Sequence, residues 1–201
     1  MRASVNRWVS FWMIFNIALL SAIACSGMPA VSDTGSTSAD TVVKKDAVTE
    51  SDVTLSVGIS VGQRIPEFII NLTEGRSKTS AEILAEGKPV FIYFMATWCP
   101  TCRGELKKLK TVYSDYKGKV GFYVVGTDPT ETIQELEAYR VQEGQEWVMA
   151  TAGRGMLANL DIRSQSSKIA FRSDGVIVYR DGFGGGEISK WAQVLQELSE
   201  E

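Results

Sequence analysis

Two cysteines three residues apart lie at the junction between an apolar strand and an amphipathic helix, and this junction constrains the fold most. Residues 89–95 form a nearly continuous apolar run, which is typical of a central strand covered on both faces. Residues 101–117 place apolar side chains on one helical face and lysines mostly outside it. The motif Cys-Pro-Thr-Cys occupies 99–102. The pattern therefore predicts a cysteine pair at the start of a helix that follows a buried strand.

The position of the first cysteine favours thiol–disulfide chemistry. At a helix N-terminus, free backbone N–H groups and the positive end of the helix dipole favour a thiolate, here on Cys99. Pro100 suits the first helical position, because its missing N–H would be unpaired there. The pattern predicts that Cys99 attacks a partner disulfide and that Cys102, further into the helix, resolves the mixed disulfide. A purely structural disulfide closing so small a loop would stabilise the fold little.

The composition excludes several other kinds of site. The 201 residues include no histidine and only three cysteines. This rules out Ser-His-Asp and Cys-His catalysis, His-ligated zinc and a four-cysteine metal site within one chain. No metal or other cofactor is therefore expected. The formal net charge is −3, so no basic excess indicates a nucleic-acid partner.

The rest of the pattern predicts an α/β domain. Strands are expected at 68–72 and 120–125 and in a hairpin at 168–172 and 176–180, and helices at 130–143 and 187–199, with a short capped helix opening at Thr79. The predicted order is β-α-β-α-β-α-β-β-α, with parallel pairing from the alternation and antiparallel pairing from the hairpin. The glycine-rich segment 182–186 lacks the lysine of a phosphate-binding loop and is interpreted as a flexible turn.

The first 25 residues have the order of an export signal. Arg2 and Arg7 precede an uncharged apolar run, which ends in Ala-Ile-Ala immediately before Cys25. Three interpretations remain open: a cleaved secretory signal, an uncleaved membrane anchor, and a bacterial lipoprotein signal. Residues 22–25 resemble the cleavage site of a lipoprotein signal, which implies lipidation at Cys25. All three predict that the folded part lies outside the cytoplasm, and the last two tether it to a membrane.

A composition change separates this signal from the folded domain. Residues 26–61 are rich in Ser, Thr, Asp and Ala and nearly lack large apolar side chains, so they cannot bury enough surface to offset the entropy of ordering. We predict a flexible tether over 26–61, with a short strand at 53–61 as the alternative, and one domain over 62–201.

The segment FIYFMATWCPTC resembles the active-site stretch of thioredoxin-fold proteins. With the signal, the tether and the GQRIPEFIINL opening, residues 62–201 are similar to the TlpA/ResA-type membrane-tethered thiol-disulfide oxidoreductases. The resemblance implies a thioredoxin-like three-layer α/β/α sandwich with a central mixed sheet. It also implies Cys99 as nucleophile and Cys102 as resolving thiol. Trp98 then packs beside the disulfide, and Pro100 and Thr101 lie near the site.

Glu105 matches a glutamate that in this group lies near the active site, three residues after the second cysteine. Removal of its carboxylate is expected to slow exchange without unfolding the domain, unless the side chain points to solvent. Two positions depart from the family pattern. Tyr93 stands in place of the buried aspartate of thioredoxins, and Ser166 stands near the usual cis-proline, where a trans peptide is expected.

These features predict an extracytoplasmic thiol-disulfide oxidoreductase that reduces disulfides of exported proteins. By resemblance, its substrates include apocytochrome c thiols, and a membrane electron donor or acceptor completes its cycle. A thiol peroxidase on the same fold is the first alternative, because Thr97 and Arg103 lie close to Cys99 in the sequence. The second is a non-catalytic binding domain that keeps the fold, which the missing proline makes plausible.

Overall fold

The computed structural model describes residues 55–73 and 75–201. In this part of the chain, strands lie at Ile69–Leu72 (β1), Ser77–Thr79 (β2), Val90–Met95 (β3), Gly121–Gly126 (β4), Val148–Ala152 (β5), Lys168–Phe171 (β6) and Ile177–Asp181 (β7). Helices lie at Ser80–Leu84 (α1), Pro100–Tyr116 (α2), Ile133–Gln142 (α3), Met156–Asn159 (α4) and Ile188–Ser199 (α5). The export signal, Cys25 and the tether up to residue 54 lie outside the described residues.

The strands form one mixed sheet in the order β2-β1-β5-β4-β3-β6-β7. The central strands β3, β4 and β5 pair in parallel, and every pairing outside them is antiparallel. This arrangement follows from the connections, because helical crossovers return the chain in the same direction whereas the late hairpin reverses it. The predicted mixture of pairings is confirmed.

Apolar side chains of the sheet pack against helices on both faces. In β3, Phe91, Tyr93 and Met95 contribute to the cluster that includes residues of α2, α3 and α5. Ile92 and Phe94 contribute to the opposite cluster, which includes residues of α1 and the segment around α4. All six β3 residues are buried, as expected for a strand covered on both faces. The result is the predicted three-layer sandwich.

Three short elements are missing from the sequence prediction. Strand β5 has the sequence VMATA and carries no strong apolar alternation, and β2 and α4 have only 3 and 4 residues. Strand β5 forms because β1 and β4 bond to its two edges. Tertiary pairing therefore decides this segment, since β propensity depends strongly on context.

The folded part begins before the predicted boundary at residue 62. The Arg64 amide donates to the Ser56 carbonyl at 3.0 Å, and the Gly62 amide donates to the Ile177 carbonyl at 2.8 Å. The sequence analysis assigns residues 55–61 to the tether because the whole stretch 26–61 is rich in Ser, Thr, Asp and Ala. Among the described residues of this segment, Val57 forms an isolated bridge to Arg64 and not the alternative strand. Backbone bonds nevertheless join residues 55–61 to the domain. Among the described residues, no helix is both long and apolar enough to span a bilayer.

Candidate active site

The cysteine pair lies at the predicted strand–helix junction. Cys99 is the N-cap of α2, and Pro100 opens the helix at a position that needs no N–H donor. The Cys102 amide donates to the Cys99 Sγ at 3.1 Å. Cys99 is 3% exposed and Cys102 fully buried, and the two thiols are not bonded to one another. The Cys99 sulfur, which caps the helix, therefore receives a donor from the helix backbone.

The buried thiol is held in its neutral form. Burial raises the pKa of Cys102 to about 12, and its interaction with Cys99 acts in the same direction. At neutral pH Cys102 is therefore a thiol and not the thiolate, which is the form that attacks disulfides. Cys102 needs a proton acceptor close by before it can react at a useful rate.

Glu105 is buried and lies beside the cysteine pair, one helical turn after Cys102. Its Oε2 accepts hydrogen bonds from the Tyr93 hydroxyl at 2.5 Å and the Ser166 hydroxyl at 2.6 Å. Its Oε1 accepts a hydrogen bond from the Gly186 amide at 3.0 Å. The alternative that this side chain points to solvent is wrong, because only 5% of the residue is exposed.

A buried lysine pairs with this carboxylate. Lys168 Nζ lies 2.8 Å from Glu105 Oε2 and has no solvent exposure. Burial by itself raises the pKa of Glu105. Hydrogen bonds from Lys168, Ser166 and Tyr93 outweigh this effect and bring the pKa below its ordinary value. The site therefore contains an ionised carboxylate close to a neutral thiol.

Ser166, the residue near the usual cis-proline position, is fully buried and central to the site. Its backbone has φ +62°, and no cis peptide occurs among the described residues. A non-glycine residue in this left-handed region is uncommon and strained. The Ser166 amide donates to the Phe94 carbonyl at 2.6 Å, and its hydroxyl also accepts the Gly184 amide at 3.1 Å. These bonds hold the unusual backbone conformation in place.

The glycine-rich segment 182–186 lies against Glu105 and makes specific contacts. Besides the Gly186 bond to Glu105, the Gly184 carbonyl accepts a hydrogen bond from Lys168 Nζ at 2.7 Å. Between this segment and α2 lies an open cleft of about 420 Å³, which Thr101 lines together with Glu105. The flexible-turn interpretation missed this role, because the partners of the glycines are distant in sequence.

Gly186→Ala is expected to destabilise the domain. A Cβ at this position would lie 2.5 Å from both Glu105 Oε1 and the Trp191 ring. Overpacking of this kind costs about 1–3 kcal/mol. Gly182→Ala is the matched control, because an added Cβ there meets nothing within 4 Å. Thermal unfolding should show a lower midpoint for Gly186→Ala and an unchanged one for Gly182→Ala; equal midpoints would contradict the close approach.

Acidic residues after β4 hold the other side of the motif. The Trp98 indole N–H donates to Asp128 at 2.7 Å, and the Thr97 amide donates to Glu131 at 2.7 Å. Trp98 is 60% exposed, so its ring lies at the surface next to Cys99. Asp128 and Glu131 were missed by the sequence analysis, since the parallel register of β3 and β4 brings their loop to the motif.

The structure brings together four of the predicted residues and separates the others. Cys99, Cys102, Glu105 and Ser166 share one buried region, with Thr101 at the adjoining cleft. Pro100 and Trp98 lie on the exposed side of the helix start. Tyr93 and Lys168 were missed as members of the site; a lysine inside an otherwise apolar strand was the available signal. In the described residues, no three Cys, Asp or Glu side chains are grouped as metal ligands.

Known proteins share sequence similarity with this chain. The profile of the AhpC/TSA family matches residues 61–179. The thiol:disulfide interchange protein DsbE of Yersinia pestis is 30% identical over 133 residues, which span 64% of this chain and 68% of that protein. The thiol-disulfide oxidoreductase ResA of Bacillus anthracis is 25% identical over 121 residues, spanning 60% of this chain and 68% of that protein.

A solved structure supports the fold independently. A secreted Mycobacterium tuberculosis disulfide oxidoreductase, described as homologous to Escherichia coli DsbE, superposes with a TM-score of 0.55 at 18% identity. The match covers 65% of this chain and 96% of that one. At this identity the likeness concerns the fold, and it confirms the thioredoxin-like architecture. Because the family profile spans more than half of its length, the chain belongs to the AhpC/TSA family, as a TlpA/ResA-like thiol-disulfide oxidoreductase.

Proposed function

We propose that the domain exchanges its cysteine pair with disulfides of exported proteins, with Cys99 as nucleophile and Cys102 as resolving thiol. One observation carries this assignment: the two thiols differ in environment. Cys99 caps α2 and accepts the Cys102 amide, and a helix N-terminus stabilises a thiolate. Cys102 is fully buried, and burial keeps it protonated.

The proposed reaction has two balanced steps. The Cys99 thiolate attacks one sulfur of the partner disulfide, a mixed disulfide forms, and the other partner sulfur leaves as a thiolate that takes up a proton. Cys102 then loses its proton and its sulfur bonds to Cys99, while the bond from Cys99 to the partner breaks. The partner gains two electrons, and the cysteine pair is oxidised to a disulfide.

The names of the relatives support exchange with protein thiols, since DsbE is called an interchange protein and ResA an oxidoreductase. We propose that the direction is reduction, that apocytochrome c is among the substrates, and that a membrane electron donor restores the reduced pair. The apolar run ending at Cys25 supports a location outside the cytoplasm, tethered to the membrane through the N-terminus. Lipidation of Cys25 is the specific form of tether that we propose.

In the part of the chain that the structure describes, the contacts of Thr97 and Arg103 do not favour a thiol peroxidase. That chemistry would use a threonine and an arginine to activate the Cys99 sulfur. The Thr97 hydroxyl instead bonds to Glu131. Arg103 lies 3.5 Å from Glu143 and over the Tyr139 ring. Peroxide consumption by the reduced protein would be the observation in favour of the peroxidase.

Limited alkylation tests the roles of the two cysteines. The reduced full-length protein is expected to react with iodoacetamide at Cys99 before Cys102 at neutral pH, because thiolates alkylate and Cys102 is neutral there. Peptide mass mapping at early times measures the ratio of the two products. Cys99→Ser, as the control, should label slowly. Faster labelling of Cys102 would reverse the assignment.

A further inference from the structure

Lys168 is a fully buried cation in a strand of apolar residues. Its ammonium lies 5.5 Å from the centre of the Tyr93 ring and 5.6 Å from that of Trp191. It bonds to the Glu105 carboxylate at 2.8 Å and to the Gly184 carbonyl at 2.7 Å. Burial of an ammonium is costly unless it is paired and hydrogen-bonded. A lysine in this place therefore needs an explanation beyond packing.

We propose that Lys168 is a positioning residue that holds the Glu105 carboxylate ionised and correctly oriented, so that Glu105 can accept the Cys102 proton during resolution of the mixed disulfide. The proposal rests on the function proposed above and extends it to a residue outside the cysteine motif. Lys168 does not touch the reacting sulfurs; it acts through Glu105.

The orientation of the carboxylate is determined from three elements. Lys168 on β6 is the cross-strand neighbour of Tyr93 on β3, and side chains at such positions lie on the same face of a sheet. Both side chains reach Glu105 Oε2, which comes from α2. The Gly186 amide bonds to the other oxygen, Oε1. With donors on both oxygens, the carboxylate has one orientation.

Tyr93 lies in the same buried cluster as the resolving thiol Cys102. Its hydroxyl donates to Glu105 at 2.5 Å, so the carboxylate is held against this cluster. When Cys102 attacks Cys99, the Cys102 proton passes to the Glu105 carboxylate, which lies one helical turn further along α2. The bond from Cys99 to the partner breaks, and the departing partner sulfur takes up a proton. The step requires an unprotonated carboxylate at its start.

The charge of Glu105 depends on its neighbours. Its own burial raises its pKa, and Lys168 provides the largest opposing interaction. The titratable and charged groups that face it from the surrounding elements are Tyr93 of β3, Cys102 of α2, Lys168 of β6 and Tyr179 of β7, with Lys108 and Glu187 lining the cleft. Without the ammonium, burial is less opposed, and Glu105 becomes protonated at a higher pH.

The test separates the two chemical steps with 2,2′-dithiodipyridine. Its reduction releases pyridinethione, which is detected by absorbance over a wide pH range. Mixed with the reduced full-length protein, it should release one pyridinethione when Cys99 attacks and a second when Cys102 resolves the adduct. Stopped-flow traces from about pH 4.5 to 8 give both rates. In the native protein, Glu105 is ionised above about pH 5. The rate of the second phase should therefore show no decrease from protonation of Glu105 in that range.

Lys168→Met and Lys168→Gln should lose the second phase progressively toward the acidic end of this pH range, with recovery as the pH rises. The Gln variant retains a donor for Glu105 and Gly184, so it controls for lost hydrogen bonds. Lys168→Arg, which keeps the charge, should retain the native profile. The first phase should change little in all three variants.

Each outcome decides the proposal. The proposal would be overturned if the rate of the second phase depended on pH in the neutral variants as it does in the native protein. The same would hold if that rate were lower by one constant factor at every pH. If the neutral variants do not fold, the native protein still decides: a second phase that declines below about pH 7 with the titration of Glu105 would show that Lys168 does not hold this carboxylate ionised. Absence of the first phase in the native protein would instead refute the proposed function itself.

Discussion

Cys102→Ser is expected to stop turnover and to leave Cys99 joined to its partner by a stable mixed disulfide. The substitution retains the approximate size of the buried side chain, but a hydroxyl cannot form the disulfide that releases the partner. Turnover should therefore fall by at least about 10⁴-fold, which is the upper range for loss of a positioned catalytic group. Non-reducing electrophoresis and intact mass measure the adduct, which a reducing agent should remove.

Cys99→Ser is the control for this experiment. Without the nucleophile at the start of α2, no adduct should form, even though Cys102 remains. Cys102 is fully buried and its pKa is raised to about 12, so it cannot replace Cys99 near neutral pH. If an adduct formed on the Cys99→Ser protein and none formed on Cys102→Ser, Cys102 would be the nucleophile and Cys99 the resolving thiol.

Glu105→Gln is expected to slow resolution and to destabilise the domain. Loss of a positioned base costs about 10²–10⁴-fold in rate. The sequence analysis predicts slower exchange without unfolding of the domain, and the buried ion pair adds an expected loss of stability. Lys168 has no solvent exposure, and its carboxylate partner is removed. Leaving one member of a buried ion pair uncompensated costs about 3–5 kcal/mol. Urea unfolding and the second phase of pyridinethione release measure the two effects.

The double variant Glu105→Gln with Lys168→Met separates these effects. It removes both charges, so it should regain much of the stability that the single variant loses. It should not regain the resolution rate, because no carboxylate is present. If Glu105→Gln alone had the native free energy of unfolding and the native rate of resolution, Glu105 would have no role in the site. Recovery of the rate in the double variant would show that the rate loss came from the unpaired lysine.

The pH dependence of stability provides a further check on the same pair. The pKa of Glu105 is lowered in the folded protein. The ion pair therefore contributes its full stability above the unfolded pKa of about 4.3, and this contribution is lost as the pH falls through the folded value. Glu105→Gln should lack this part of the acid dependence.

Local patterns in the sequence were sufficient to predict the junction at the centre of the site. The continuous apolar run of β3, the N-cap at Cys99 and Pro100 at the first helical position depend on neighbours within a few residues. The capping box at Thr79 and Glu82 forms for the same reason. The roles predicted for Glu105 and Ser166 came from the family resemblance, since spacing alone does not show which way a helical side chain points.

Only the tertiary structure decided what surrounds the cysteine pair. Lys168 follows Tyr93 by 75 positions in the sequence, and the β3–β6 register makes them neighbours. The glycine-rich segment reaches Glu105 because β7 and α5 pack around the same cluster. Strand β5 likewise forms because β1 and β4 pair with its two edges. Such long-range contacts depend on the register and packing of whole elements, whereas helix caps and buried strands follow from local chemistry and hydrophobic periodicity.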